Sequence, residues 1–191
     1  MHYLILPHFL SDLECEELKV GRGLTPSAGL DVASGTNLVN DYRTSSNVFL
    51  PRQSNVVIQA VENRIAEMTG YPWHFGEDLQ VVRYTQGQYY KPHHDYHDPA
   101  YPGTMSVLAR GGQRIITVIM YLNTLAKEDG GATYFPYSNV LVQPEKGKAL
   151  VFWNVMPDGR LDESTFHEGK APKNGKEKWI ATKWLHAQTF Y

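Results

Sequence analysis

From residue 79 to residue 186 the chain is a succession of short β-branched and aromatic runs, and this patterning constrains the fold more than any other feature. "LQVVRY" (79–84), "RIITVIMYL" (114–122), "ATYFP" (132–136), "NVLVQP" (139–144), "ALVFW" (149–153) and "KWIATKWLH" (178–186) read as strands, and Gly, Pro, Asn and Asp separate them. Two helical patterns stand ahead of them. Ser11 followed by Glu14 has capping-box spacing, with Leu10 and Cys15 placed as a hydrophobic staple, which predicts a helix over 12–19. Val57, Ile58, Val61, Ile65 and Met68 share one face of a second helix, which Gly70 and Pro72 stop. Residues 19–52, rich in Gly, Ser, Thr and Asn, read as loop with one or two strands. Helices followed by many strands predict a mainly β fold with flanking helices. Its core is a double-stranded β-helix, or jelly roll, with the N-terminal helices packed on one sheet. One domain over 1–191 is expected, with 1–78 as a helical and loop support region and 79–191 as the jelly-roll core.

The net charge of -2, from 18 basic and 20 acidic side chains, gives no polyelectrolyte signature, so neither nucleic acid nor an anionic membrane is an expected partner. The single cysteine, Cys15, excludes an internal disulfide and fits a reducing, cytoplasmic setting. The apolar run Tyr3 to Leu6 is cut by Pro7 and lacks the basic flank of a secretion signal. No apolar stretch approaches the ~20 residues that span a bilayer. The chain specifies no oligomeric state.

The chemistry concentrates in "KPHHDYHD" (91–98). Read as the continuation of an aromatic strand that begins near Gln80, this segment projects His93 and Asp95 from one face and His94 and Tyr96 from the other. An imidazole and a carboxylate so placed suit two neighbouring corners of a metal octahedron. A third ligand must come from elsewhere, and the downstream histidines are His167, in "STFHEG", and His186. Two histidines and one carboxylate leave half the coordination sphere open, the arrangement of non-haem Fe(II) enzymes that activate O2. A closed zinc site of cysteines and histidines is out of reach for a chain with one cysteine. The plain alternative is a hydrogen-bonded His–Asp pair with no metal.

An ordered set of stretches carries a family resemblance: "VVRYTQGQYYKPHHDYHD", "GGQRIITVIMYLN", "GGATYFP", "GKALVFWN", "DGRLDESTFHEGKAP" and "KWIATKWLH". With the weaker "FLSDLECEEL" (9–18) and "RTSSNVFL" (43–50), they resemble the prolyl 4-hydroxylase branch of the 2-oxoglutarate- and Fe(II)-dependent dioxygenases over nearly the whole chain. The resemblance implies iron ligands at His93, Asp95 and His167. It implies that Lys178, with Tyr84 and Thr133, binds the distal carboxylate of 2-oxoglutarate, and that Trp184 lines the same pocket. A buried carboxylate needs such a cation and hydroxyl donors around it. Arg114, His186 and Tyr90 match positions that face a peptide substrate. The stretch from His167 to Lys178 is one residue longer than the family pattern, so Lys176 competes with Lys178. Strand phase favours Lys178, because 178, 180, 182 and 184 share a face.

The activity so implied is hydroxylation of a C–H bond, with C4 of a peptidyl proline as the first expectation. Fe(II) is the metal, 2-oxoglutarate and O2 are the cosubstrates, succinate and CO2 are released, and ascorbate is an optional accessory. The carboxylate of Asp95 points to hydroxylation, since related halogenases carry a small residue in its place. Two other readings stay open: a hydroxylase of a free amino acid or another protein side chain, and a non-catalytic iron or 2-oxoglutarate sensor. Residues 98–112 and a loop within 21–45 have the composition of mobile covers.

Overall fold

A sheet that is apolar on both faces needs a layer packed against each, and the long strands of this chain are of that kind. The computed structural model describes residues 1–21, 23–30 and 36–191. Its N-terminal part contains β1 (Tyr3–Leu6), α1 (Asp12–Lys19), β2 (Thr25–Pro26), β3 (Gly29–Leu30), β4 (Asn37–Leu38), β5 (Ser46–Leu50) and α2 (Val56–Thr69). The remainder contains β6 (Leu79–Tyr84), β7 (Tyr90–His93), α3 (Met105–Leu108), β8 (Arg114–Tyr121), β9 (Thr133–Phe135) and β10 (Val140–Val142). It closes with β11 (Ala149–Trp153), β12 (His167–Gly169) and β13 (Lys178–His186).

Seven strands form one sheet in the order β1-β11-β8-β13-β6-β5-β2, and four form the second in the order β10-β9-β12-β7. The β3–β4 pair stands apart as a small hairpin-like sheet. Period-two alternation divides the large sheet between two cores. Val81, Val118, Met120, Val151 and Ala181 pack with Leu18, Ile58, Val61 and Ile65 of the two helices. Val82, Ile119, Tyr121, Leu150, Phe152 and Ile180 pack with Phe135 and Val142 of the small sheet. The result is the jelly roll with helices on one face that the strand pattern predicts.

The helix ends follow their sequence signals. The Ser11 hydroxyl and the Glu14 side chain close a reciprocal capping box on α1. Asn55 caps α2 by accepting from Val57 N at 3.0 Å and Ile58 N at 2.9 Å, and Gly70 ends it with φ of 75°.

Two expectations need correction. The segment from Gln80 to His97 is not one continuous strand: β6 and β7 lie in different sheets, joined by a turn through Gly87, whose φ is 79°. Asp95 lies beyond the end of β7 and not within it. The 1–78 region is also more than support, because β1, β2 and β5 extend the seven-stranded sheet by pairing directly or in series with β11 and β6. The apolar run Tyr3 to Leu6 finds its partner almost 150 residues away, so no local signal marks it as a strand.

One buried ion pair fastens α2 to the large sheet. The Lys183 ammonium donates to Glu62 Oε1 and to the Glu77 carbonyl, while Glu62 Oε2 accepts from Gln53 N at 2.9 Å and Gln53 Nε2 at 2.8 Å. Gly76 carries no Cβ because one would run into Lys183 Cε. Removing one member of a buried pair strands the other without a partner. Lys183→Met is therefore expected to lower stability by roughly 3–5 kcal/mol in urea unfolding. Glu62→Gln/Lys183→Met together should recover part of that loss.

Candidate active site

The antiparallel pairing of β7 with β12 sets His93 directly opposite His167. The register then shifts by one residue toward Tyr90 and Gly169, around Pro92, a residue tolerated here because β7 is an edge strand. His93 Nδ1 lies 2.8 Å from the Lys91 carbonyl and His167 Nδ1 lies 2.9 Å from the Thr165 carbonyl. Each Nδ1 therefore carries the proton and donates it, which leaves each Nε2 with a free lone pair, the usual arrangement of ligating histidines. Asp95 Oδ1 is 3.4 Å from His93 Nε2, and Asp95 Oδ2 is 3.9 Å from His167 Nε2. One donor atom from each of the three side chains lies within 4.8 Å of the others, a spread that one metal ion can bridge.

Electrostatics keeps the set ready to bind. Burial lowers the His167 ring to about 4, with the neighbouring His93 adding to the shift, so the imidazole is neutral at ordinary pH. Burial raises the Asp95 carboxyl, but opposing contributions from its neighbours, the Arg114 guanidinium among them, outweigh it and hold it well below the usual carboxylate range. Tyr90 covers one side of the set, its ring stacked on His93 at 3.6 Å between centroids and 15° between planes.

Two concave regions meet at these side chains. The inner one is lined by Lys178, Tyr84, Thr133 and Trp184 together with the His–Asp–His set. In register, Lys178 pairs with Tyr84 across β13 and β6. Lys178 is 1% exposed, and burial alone lowers its ammonium to about 7, with no neighbouring charge contributing. The side-chain nitrogen is thus held away from water inside this pocket. Thr133 accepts a hydrogen bond from the Tyr121 hydroxyl at 2.8 Å, which leaves its own O–H free to donate. Lys176, by contrast, is exposed in the turn before β13. The outer region is a broad groove that shares Arg43, Gln80, Tyr90, His93, Asp95 and Trp184 with the inner pocket.

Arg114 reaches the groove wall. Its guanidinium lies 4.1 Å from the Trp184 ring centre and donates through Nε and Nη2 to the two oxygens of Glu77. Burial pushes the Glu77 carboxyl up, but Arg114 and His186 hold it down at about 2. His186 does not face the groove as expected: its side chain is fully buried, Nδ1 bonds to the Gly112 carbonyl at 2.9 Å and Nε2 to Glu77 Oε1 at 2.8 Å. It supports Glu77, which in turn holds Arg114.

Sequence reasoning missed Arg43 and Glu77 as site residues. Arg43 is 7% exposed, donates to Ser45 Oγ at 3.2 Å and Gln80 Oε1 at 3.0 Å, and lies 4.8 Å from the Tyr90 ring centre. The only advance signal was its place at the head of "RTSSNVFL". Of the two proposed covers, residues 98–112 contain a short 3-10 turn (Pro102–Thr104) and α3, and Tyr101 and Arg110, which flank these elements, line the groove. In the other, Tyr42 and Arg43 line it, while residues 22 and 31–35 lie outside the described residues.

Jelly rolls that bring two imidazoles and one carboxylate to a half-open centre make up the non-haem Fe(II) oxygenase class, and this chain has that construction. Residues 79–186 match the 2OG-Fe(II) oxygenase superfamily. The chain is 41% identical to prolyl 4-hydroxylase 1 of Arabidopsis thaliana over 95% of its length, and 37% identical to prolyl 4-hydroxylase 2 of the same plant, also over 95%. It spans about two thirds of those relatives, 68% and 66% respectively. Among solved structures it is similar to the viral collagen prolyl hydroxylase of Paramecium Bursaria Chlorella virus-1 in its 2OG complex. That likeness has a TM-score of 0.76 and 30% identity, and it covers 98% of this chain and 97% of the other. The chain belongs to the 2OG-Fe(II) oxygenase superfamily, in its prolyl 4-hydroxylase branch. It is a 2-oxoglutarate-dependent dioxygenase using Fe(II), 2-oxoglutarate and O2.

The desolvated lysine makes a measurable pH signature. An unfolded lysine holds its proton to about pH 10, whereas folded Lys178 releases it near 7. Between these values the unfolded chain binds more protons, so stability rises with pH. Ligand-free wild type should therefore gain stability relative to Lys178→Met between about pH 7 and 10, as measured by urea midpoints. A pH-independent difference would show that the ammonium is not desolvated.

Proposed function

We propose that the chain hydroxylates C4 of proline within an extended peptide. The observation that carries this reading is the meeting of two spaces at the His–Asp–His set: a narrow pocket ending in Lys178 and a wide groove walled by aromatic rings. Tyr42, Tyr90, Tyr96, Tyr101, Tyr137 and Phe166 line that groove. Polyproline II segments are pre-ordered, present flat rings and dock against such aromatic surfaces. The similarity to prolyl 4-hydroxylases and to a viral collagen prolyl hydroxylase supports the same substrate class.

In this reading His93, Asp95 and His167 hold Fe(II), the two imidazoles being oriented by the Lys91 and Thr165 carbonyls at their Nδ1 atoms. When bound, iron and 2-oxoglutarate supply the oxidising chemistry, with release of succinate and CO2. Lys178 pairs with the far carboxylate of the cosubstrate, and Tyr84 and Thr133 donate to it. Trp184 and Tyr90 exclude water from the centre and narrow the approach to it. Arg114, held by Glu77, positions the peptide backbone along the groove. Ascorbate as accessory reductant belongs to the same reading, as does a cytoplasmic setting, which the single buried cysteine supports.

With purified protein, Fe(II), 2-oxoglutarate and a proline-rich peptide, succinate release should accompany a peptide mass gain of one oxygen. Succinate without peptide modification would redirect the search to free amino acids or other side chains, and no succinate at all would indicate a sensor. Lys178→Ala should raise KM for 2-oxoglutarate by about 100-fold, the worth of a charge-assisted contact, while Lys176→Ala stays near wild type. Wild-type affinity for 2-oxoglutarate should fall as pH rises above about 7, when the ammonium loses its proton. An equal effect of both lysine variants would move the carboxylate site.

A further inference from the structure

Asp95 is the one member of the His–Asp–His set that no strand ladder holds, because β7 ends two residues before it. Its carboxylate is instead tied to the large sheet. The Thr117 hydroxyl, on β8, donates to Asp95 Oδ2 at 2.8 Å, and Asn154 Nδ2, just after β11, donates to Thr117 Oγ1 at 2.9 Å. Thr117 and Asn154 are both fully buried. The direction of this chain is forced. A carboxylate only accepts, so the single proton of Thr117 goes to Asp95, and its oxygen is left to accept from the Asn154 amide.

Asn154 is itself held on both sides: its N–H donates to the Ile115 carbonyl at 2.8 Å and its carbonyl accepts from Asp162 N at 2.9 Å. Its Oδ1 is buried with no hydrogen-bond partner among the described residues. An apolar side chain would fill the same space without that desolvation penalty. What the amide contributes is the N–H to Thr117.

We propose that Thr117 and Asn154 are positioning residues for the metal, a relay that fixes the rotation of the Asp95 carboxylate so that it offers one donor oxygen. This rests on the reading of His93, Asp95 and His167 as the metal ligands. With Oδ2 held by Thr117, turning the carboxylate to present both oxygens would cost this hydrogen bond. Single-oxygen binding leaves vacant the position that a two-oxygen mode would fill. Loss of the relay frees the carboxylate to rotate, which weakens the set and alters the number of bound atoms.

The test uses Co(II) added to metal-stripped protein, read by affinity and by visible absorption, which reports coordination number. Wild type should bind Co(II). Thr117→Val, which keeps the shape and loses the hydroxyl, should bind about 10-fold more weakly with a changed spectrum, and Thr117→Ser should restore both. Asn154→Ala, which leaves the hydroxyl unsupported, should fall between them, and carries the test if Thr117→Val does not fold by circular dichroism. Binding within twofold of wild type and an unchanged spectrum in both Thr117→Val and Asn154→Ala would overturn the relay while leaving the metal site intact. A wild-type protein that takes up no Co(II) would overturn the ligand assignment and the relay with it.

Discussion

The antiparallel register of β7 against β12 is the constraint on which the rest of the site depends. Opposed residues in such a pair sit about 5 Å apart, so placing His93 across from His167 delivers two imidazoles to one point without help from any loop. A slip of one residue would send one ring to the other face of the sheet. The large sheet uses the same device at the far end of the pocket, where Lys178 is paired with Tyr84. Two registers, one in each sheet, thus set the two ends of the cavity, and the inter-sheet core of Phe135, Phe152, Ile119 and Tyr121 sets the distance between them.

Charge is arranged around this frame in two different ways. At the groove, Arg114 and Glu77 compensate each other, with His186 completing the acid's partners, so their positions are held whatever else binds. In the inner pocket the compensation is absent, since nothing but burial shifts Lys178. The first arrangement is a scaffold, and the second leaves the ammonium without a charged partner among the described residues. The Lys183–Glu62 pair behind the sheet belongs with the scaffold, because the same lysine also donates to the backbone of Glu77.

Much of this was legible in the amino-acid order, for identifiable reasons. The strands 79–84, 149–153 and 178–186 emerge with the expected bounds because their β-branched runs end at turn residues. Strand alternation is a local property, and residues 178, 180, 182 and 184 do line one pocket. It does not separate Lys176 from Lys178, which share a phase; what parts them is that β13 begins at Lys178 while Lys176 lies exposed ahead of it. The break between β6 and β7 was hidden, because "TQGQ" is short and polar between two aromatic runs and looks like an interruption on one face. β1 was hidden because its partner β11 is distant. Arg43 and Glu77 are single polar residues in connecting segments, and only tertiary packing buries the first and half-buries the second. His186 shares a strand with Trp184, yet a shift in register at Leu185 and His186 turns it toward Glu77.

The solitary ammonium at the foot of the pocket acts as a ruler. In the proposed reading, a 2-oxo acid anchored at the metal end would satisfy Lys178 only with a second negative group at the matching distance along its chain. Under the proposed binding, shorter acids such as pyruvate would keep the chelating end but leave the lysine unpaired. Selectivity among oxo acids would then be a length, measured between one end of the jelly roll and the other.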